Sequence, residues 1–376
     1  MIPFNKPYMT GRELENIAQA HANGHLSGDG MFTRQCHDRL RAETGAHTAL
    51  LTHSCTAALE MAAMLLDLGP GDEVILPSFT FVSTANAIVL RGAIPVFVDI
   101  RPDTLNLDER LVEAAITPRT RAIFVVHYAG VACDMDTIMA VAERHGLAVV
   151  EDAAQGIYSS YRGRPLGTIG DIGCLSFHET KNVISGEGGA LLLRDPRFSE
   201  RAEIIREKGT DRSRFFRGQV DKYTWVDAGS SYLPSELIAA FLAAQLDAGA
   251  QITQRRMGIW NQYHAAFAGH EAAGRARRPV VPSECEHNAH MYYLLLPDLA
   301  ARQRFIEQMR AADVACVFHY IPLHSAPAGL LHGRSHGELG VTDSVSDRLV
   351  RLPLWVGLEA EQQRVIAAVD NALAAL

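Results

Sequence analysis

The chain has 376 residues, of which 48% are hydrophobic and 21% charged, with a formal net charge of −8. This is the composition of a folded globular protein, because disorder requires lower hydrophobicity and a stronger charge imbalance; at about 150 residues per domain there is room for two or three domains. A pI near 6.0 excludes a general nucleic-acid footprint, and the longest apolar run, the eight residues Leu237 to Ala244, is far short of the roughly 18 that span a bilayer.

The opening MIPFNKPYMT has no basic-then-apolar leader. Six cysteines (Cys36, Cys55, Cys133, Cys174, Cys285, Cys316) form no CxxC pair, which suits reduced thiols in a cytoplasmic protein. The sixteen histidines include no HExxH, and His319 and His324 sit in a proline-shaped HYIPLH loop, so no metal is expected.

In chain order, a helix over Gly11–Asn23 leads into HLSGDG, where Gly28 and Gly30 permit a turn or a close backbone approach. Strands then alternate with helices for about 200 residues. The strands are His47–Thr52, Glu73–Leu76, Ile94–Asp99, Arg121–His127, Leu147–Asp152, Gly173–Phe177 and Gly189–Arg194. The helices are Ala57–Leu68, Thr80–Arg91, Asp134–Gly146 and Pro196–Lys208, with Gly69, Gly92 and Gly146 placed for left-handed C-terminal caps. Most strands are apolar without alternation, as in a mainly parallel sheet buried on both faces. The pattern predicts an α/β doubly wound fold.

After Gln245 the rhythm changes. A long helix (Ile252–Ala268) precedes an Arg- and Pro-rich loop (Arg275–Pro282), a strand (Met291–Leu296) and a helix (Ala301–Ala312). A further strand (Ala315–His319) and a terminal helix (Ala360–Ala375) complete the chain. The expected division is a large domain over 1–245, with an N-terminal arm over 1–30, and a smaller α+β domain over 246–376.

Ligands of open α/β sheets collect beyond the carboxyl ends of the strands, and three predicted strands end there in complementary chemistry. The first runs into SCTAALE, where Ser54, Cys55 and Thr56 open a helix and the small Ala57 and Ala58 leave room. A helix N-terminus with free N–H groups suits a phosphate, although an ordinary serine cap looks the same. The fifth ends in EDAAQ. Asp152, a carboxylate at the end of a buried strand, needs a cation or donor, either a bound cationic ring or a structural partner. The next pair brackets SFHETKNVISGEGGA, with Lys181 in a crowded loop beside Ser176, His178 and a GEGG turn. Most lysines are solvated surface charges; one held there can instead form a Schiff base once its amine loses a proton. Phosphate cup, carboxylate and lysine in that order match what pyridoxal phosphate requires.

With these motifs in place the chain resembles the DegT-type nucleotide-sugar aminotransferases, fold type I pyridoxal phosphate enzymes. The resemblance runs nearly end to end. It takes in IPFNKP, SCTAALE, GPGDEVILPSFTFVSTANA, GAIPVFVDI, HYAGVACDMDTI, VVEDAAQ, SFHETKN, GEGG, HYIPLH and RLPL. It implies a large cofactor domain with a smaller C-terminal one, pyridoxal 5'-phosphate as cofactor and a homodimer with active sites between subunits. For the last, the sequence adds only the apolar helix Glu236–Leu246.

Carried across residue by residue, Lys181 would hold the cofactor and Asp152 would pair with its ring nitrogen. Gln155 would lie near the ring hydroxyl and Phe81 would stack on the ring, although an aromatic at that position commonly packs in the core. Thr56, Ala57 and Ser176 would hold the phosphate. Many relatives carry Gly-x-Asn-Tyr-Arg before a helix that reaches the partner's site; here GSSYL puts Ser231 for Asn and Leu233 for Arg. Serine still donates to a phosphate, but leucine cannot clamp a carboxylate, which leaves the basic stretch Arg212–Arg217 as the candidate for the glutamate carboxylate.

The stretches SFHETKN, EKGTDRSRFFRGQVDKYTW and VFHYIPLH are similar to members that aminate a dTDP-4-keto-6-deoxyhexose. The implied reaction takes L-glutamate as donor and yields dTDP-4-amino-4,6-dideoxygalactose and 2-oxoglutarate, for enterobacterial common antigen or another surface polysaccharide. An acidic protein that binds a diphosphate sugar must concentrate its cations locally, which points to Lys181, Arg212–Arg217 and His319; the expected substrate contacts are Gly28 in its loop, Arg212 and His319. The alternatives are a sugar dehydratase of the same scaffold, whose members replace the lysine with histidine, and a non-catalytic nucleotide-sugar-binding regulator.

Overall fold

The computed structural model describes residues 1–376. The first half carries β1 (Thr48–Thr52), β2 (Glu73–Pro77), β3 (Ile94–Val98), β4 (Thr120–Val126) and β5 (Ala148–Asp152). A short hairpin, β6 (Ser160–Tyr161) and β7 (Arg164–Pro165), precedes β8 (Ile172–Ser176) and β9 (Gly189–Leu193). Later come β10 (Cys285–Glu286), β11 (Tyr292–Leu295), β12 (Arg334–Ser335) and β13 (Leu349–Leu352).

Eight strands form one sheet in the order β1-β9-β8-β5-β4-β2-β3-β12. Neighbours are parallel except that β9 runs antiparallel to both β1 and β8. Side chains alternate across a strand, so Val74 and Leu76 of β2 enter one core with Leu59, Phe97 and Phe124. Ile75 between them enters the opposite core with Val96, Ile123 and Ile138. Each such side chain contributes roughly 1.5–3 kcal/mol by leaving water. The sheet is therefore covered on both faces, and the fold is the mainly parallel α/β arrangement expected from the strand composition.

A second core forms around β11 and β13, which pair antiparallel. Trp260 and Tyr263 of helix Gly249–Ala266, Phe305 of helix Leu299–Ala311 and Val365 of helix Gln362–Ala374 meet Tyr292 of β11 there. Ile2 joins the same core, and its N–H donates to the Asp313 carbonyl at 2.7 Å. β12 returns to the main sheet beside β3. Arg334 there grips the buried Glu73 with two bonds, Nε to Oε1 at 3.0 Å and Nη2 to Oε2 at 2.8 Å.

Several local expectations shift. No strand forms over 315–319; only Val317 pairs, as a single bridge with Arg351. The next carbonyl, that of Phe318, accepts from the Arg351 side chain. Gly69 is not a left-handed cap, because the preceding helix ends at Leu65 and Asp67 takes the positive φ of 52°. The helix expected at Thr80–Arg91 runs over Val82–Val89 with Phe81 as its N-cap. Helices Met31–Thr44 and Gly340–Arg348 lie outside the segments read as helical. No helix is long and apolar enough to cross a membrane, all six cysteines are buried and unpaired, and no group of three His, Cys, Asp or Glu side chains is placed to hold a metal.

Candidate active site

A cavity of about 790 Å³ opens at the carboxyl edge of the main sheet and is closed by residues of the second core's elements. β1 leads to Ser54, the N-cap of helix Cys55–Leu65, whose Oγ accepts the Ala57 N–H at 3.0 Å. The N–H groups of Cys55 and Thr56, in the first turn, have no intrahelical acceptor and face the cavity's side of the helix. Thr56 Oγ1 lies 2.7 Å from Ser83 Oγ, which ties this helix start to that of Val82–Val89. Two helix N-termini thus converge on one spot, the electrostatics a phosphate needs. The same cap corrects the expectation for Ala57: its N–H is spent on Ser54, and the residue is buried beneath the cavity rather than lining it.

The GEGG turn is built against this helix start. A Cβ on Gly189 would collide with the Ser54 and Cys55 backbone, and one on Gly188 with the Ser185 hydroxyl. Because β9 is antiparallel, its first residue lies at the same edge as the last residues of β5 and β8.

Asp152 closes β5. Its Oδ2 accepts from Thr84 Oγ1 at 2.7 Å and its Oδ1 from the Ala154 N–H at 3.2 Å, but no cation pairs with it within the chain. Burial pushes the carboxyl pKa up, against the lowering effect of Thr84. A carboxylate kept dry in this way is stabilised by a cationic partner. Gln155 is held at both ends: Oε1 accepts the Ala129 N–H at 2.6 Å, and Nε2 donates to Tyr320 Oη at 2.9 Å.

Lys181 sits in the loop after β8, its N–H bound to the His178 carbonyl at 2.9 Å. The side chain lines the cavity, and its amine makes no hydrogen bond or ion pair. Burial pulls the amine pKa down, opposed by Cys55 and Asp152 and assisted by Arg351. Ser176, at the end of β8, also lines the cavity. Phe81 is 58% exposed at the cavity wall, so it is not a core residue.

His319 forms part of the opposite wall. Its Nδ1 lies 2.7 Å from Tyr128 Oη and its ring stacks on Tyr320 at 3.7 Å. Burial holds its pKa well below the ordinary histidine value, so it presents a neutral ring rather than the cation expected of it. The structure therefore brings Thr56, Phe81, Asp152, Gln155, Ser176, Lys181 and His319 together.

Three expected residues lie elsewhere. Gly28 packs on Leu233 and Pro234. Arg212 covers the Phe216 ring at 5.1 Å and sits 3.8 Å from Glu207. Ser231 is exposed and bridges to Glu207. Residues not anticipated at the cavity are Arg256, His290, Tyr320 and Arg351. The signal for the last was a lone arginine in the otherwise buried strand LVRL.

A free lysine amine, an unpaired buried carboxylate and two open helix N-termini fit pyridoxal phosphate at its aldehyde, ring nitrogen and phosphate respectively. Residues 7–370 match the model of the DegT/DnrJ/EryC1/StrS aminotransferase family. The chain is 36% identical over 333 residues to the spore coat polysaccharide biosynthesis protein SpsC of Bacillus subtilis, covering 87% of this chain and 85% of that one. It is 33% identical over 372 residues to the GDP-perosamine synthase of Caulobacter vibrioides, covering 98% and 97%. Among solved structures, the aminotransferase TlmJ of Streptoalloteichus hindustanus superposes with TM-score 0.91 at 30% identity, over 100% of this chain and 99% of that one. The PMP-form of the sugar aminotransferase Spr1654 of Streptococcus pneumoniae gives TM-score 0.92 at 28% identity over 100% of both chains, and a PLP-form of the same protein matches as well. With the family model spanning nearly its whole length, the chain belongs to the DegT/DnrJ/EryC1/StrS aminotransferase family and works with pyridoxal phosphate.

Proposed function

We propose that the chain transfers the amino group of L-glutamate to carbon 4 of a dTDP-4-keto-6-deoxyhexose, giving dTDP-4-amino-4,6-dideoxygalactose and 2-oxoglutarate. The observation that carries the chemistry is the Lys181 amine, free of partners and with a lowered pKa, in one cavity with the buried Asp152. Bound pyridoxal phosphate supplies an aldehyde for amines and a ring that absorbs carbanion charge. Lys181 holds the cofactor between turnovers. With pyridoxal phosphate bound, Lys181 Nζ would take the proton from the donor's α-carbon, a task favoured by burial, which lowers the amine's pKa. In the second half the same amine would move a proton back to the sugar carbon.

Asp152 holds the proton on the ring nitrogen. Gln155 would lie near the ring hydroxyl, Phe81 would stack on the ring face, and Thr56 and Ser176 would bind the phosphate with the free N–H groups of the helix start. Gly28, Arg212 and Ser231, outside this chain's own cavity, are assigned to the site of a second copy in a homodimer. Exposed Phe216, Trp225 and Leu237 support such an interface. The division into a large cofactor domain over 1–245 and a smaller closing domain over 246–376 has two exchanges across it: Ile2 packs in the second core and β12 pairs in the main sheet.

The sugar assignment rests on the similarity of SFHETKN, EKGTDRSRFFRGQVDKYTW and VFHYIPLH to dTDP-4-amino-4,6-dideoxygalactose transaminase. The match to a GDP-perosamine synthase supports a nucleotide-linked substrate. A surface polysaccharide such as enterobacterial common antigen is the proposed destination of the product. A lysine at position 181, in place of the dehydratases' histidine, argues against the lyase.

Incubation of the purified chain with glutamate and dTDP-4-keto-6-deoxyglucose, followed by product NMR, tests the assignment. An axial amine on carbon 4 is expected; an equatorial amine, or amination at carbon 3, overturns the sugar. A visible absorption band indifferent to glutamate overturns the transaminase.

A further inference from the structure

The first half-reaction must hold an amino acid, which has neither a nucleotide nor a phosphate by which to be gripped. Its α-carboxylate lies one bond from the carbon that Lys181 deprotonates, so a cation is needed close to that lysine. Leu233, at the position where many relatives carry arginine, packs against Gly28 outside the cavity and offers no charge.

Two arginines line the cavity. Arg256 is 4% exposed and bound to backbone, with Nε on the Ala289 carbonyl at 3.1 Å and Nη2 on the His290 carbonyl at 2.6 Å. It braces the loop that precedes β11. Arg351 is arranged differently. Its Nε and Nη2 share a single acceptor, the Phe318 carbonyl, at 3.3 and 3.1 Å, and the Phe4 ring covers the guanidinium at 4.8 Å. Nη1 donates to nothing, and no carboxylate lies within 4.0 Å of the group. His290 and His319 beside it are held neutral by burial. Arg351 is therefore the positive group of this wall with a free donor face, fixed in orientation by one carbonyl and one ring.

Its place relative to Lys181 is also suitable. Arg351 lines the same cavity as Lys181, and Arg256, which lines it too, has its Nε and Nη2 committed to backbone carbonyls. A guanidinium presents its N–H groups in a planar fork that a carboxylate matches.

Building on the transaminase reading, we infer that Arg351 is the carboxylate-binding residue for the amino-acid donor, taking its α-carboxylate on the Nη1 edge while Lys181 works on the α-carbon. The keto sugar of the second half-reaction has no carboxylate, so that half depends far less on Arg351.

The two halves can be measured apart. Stopped-flow absorbance on the pyridoxal phosphate holoenzyme follows the reaction with glutamate alone; the pyridoxamine-loaded enzyme follows the keto sugar alone. Calorimetry with glutarate, a dicarboxylate with no amine to react, reads binding without chemistry. For Arg351→Gln we expect half-saturation for glutamate to rise roughly 10- to 100-fold, the range of a charge-assisted hydrogen bond. Glutarate affinity should fall in parallel, and the keto-sugar half should change by less than about threefold. Arg351→Lys, which keeps the charge without the fork, should recover part of the loss.

Unchanged glutamate saturation and glutarate affinity in Arg351→Gln overturn the inference. So does an equal loss in both halves, which would place Arg351 on the sugar diphosphate or in the fold; a melting curve for each variant separates those two. A wild-type enzyme with no glutamate-driven spectral change refutes the transaminase reading instead.

Discussion

Asp152→Asn separates a cofactor-binding carboxylate from a structural one, because the two roles predict opposite changes in stability. In the cofactor-free protein, burial raises the folded-state pKa of Asp152 above its ordinary value near 3.8. The folded protein then holds the carboxyl proton more tightly than the unfolded chain does. The stability conferred by the neutral form is present below the ordinary value and is lost as pH rises through the raised one. An asparagine stays neutral and avoids that loss. Its Nδ2 can donate to Thr84 Oγ1, which can turn its own hydrogen to Thr80 Oγ1, 2.9 Å away. The cofactor-free variant should therefore melt no lower than wild type at pH 7, and its relative advantage should shrink towards pH 4. Catalysis should move the other way. A carboxylate about 3 Å from a ring cation, at an effective dielectric of about 20, contributes about 5 kcal/mol. A neutral amide keeps about 1 kcal/mol of that as a hydrogen bond, which leaves a loss on the order of 10³-fold in each half-reaction. Paired thermal melts with and without cofactor, and stopped-flow rates with glutamate, read both effects. A variant that is destabilised without cofactor, yet within tenfold of wild-type rate, would refute the reasoning and make Asp152 a structural residue.

Lys181→Met should abolish both half-reactions. Because burial lowers the folded-state pKa of Lys181 below 10.5, the unfolded chain binds that proton more tightly, so the cofactor-free variant should be the more stable at pH 7. The gap should close as pH approaches 10.5; melts across this range check the sign. Glu151→Gln removes a fully buried charge that accepts from His127 Nε2 at 2.8 Å and from the N–H groups of Gly167, Ile169 and Gly170. Urea unfolding should show a loss of about 3 kcal/mol, and a change under about 0.5 kcal/mol would contradict the role given to this carboxylate. Gly189→Ala forces a methyl onto the start of helix Cys55–Leu65. Cofactor titration by fluorescence should show affinity lowered at least tenfold, equivalent to about 1.4 kcal/mol of overpacking; unchanged affinity would mean that the turn relaxes freely.

The sequence resolved elements whose signal is local. β1 to β5, β8 and β9 fall within a residue or so of the apolar runs that predicted them, because strands buried on both faces leave continuous apolar composition. Val317 and Phe318 carry the same composition, yet only Val317 pairs, as a single bridge to Arg351, a residue distant in sequence. β12 has two residues and no periodicity to read; it is fixed by the grip of Arg334 on Glu73. The candidate site divides in the same way. Asp152, Ser176 and Lys181 stand at strand ends or in the loop between adjacent strands, so chain order alone gathers them. Arg351, Arg256 and Tyr320 reach the cavity only through packing of the second core onto the sheet, which no spacing encodes. Ala57 shows a finer limit, since SCTAALE does open a helix at the cavity while the Ala57 N–H is committed to Ser54.

Two neighbouring carboxylates on β5 show how the fold separates support from chemistry. Alternation sends Glu151 and Asp152 to opposite faces of one strand. The Cys133 N–H donates to His127 Nδ1, which leaves Nε2 as the protonated nitrogen facing Glu151. With that donor and three backbone N–H groups around it, Glu151 is held below the ordinary carboxylate range despite complete burial. Asp152 has one hydroxyl, one backbone N–H and a thiol at 4.0 Å, too little to offset its desolvation, and its pKa rises. The saturated partner fixes the strand and the loop over residues 167–170, so Asp152 cannot relax by moving towards solvent. Its unmet demand for positive charge is therefore aimed into the cavity, where a protonated ring nitrogen would satisfy it.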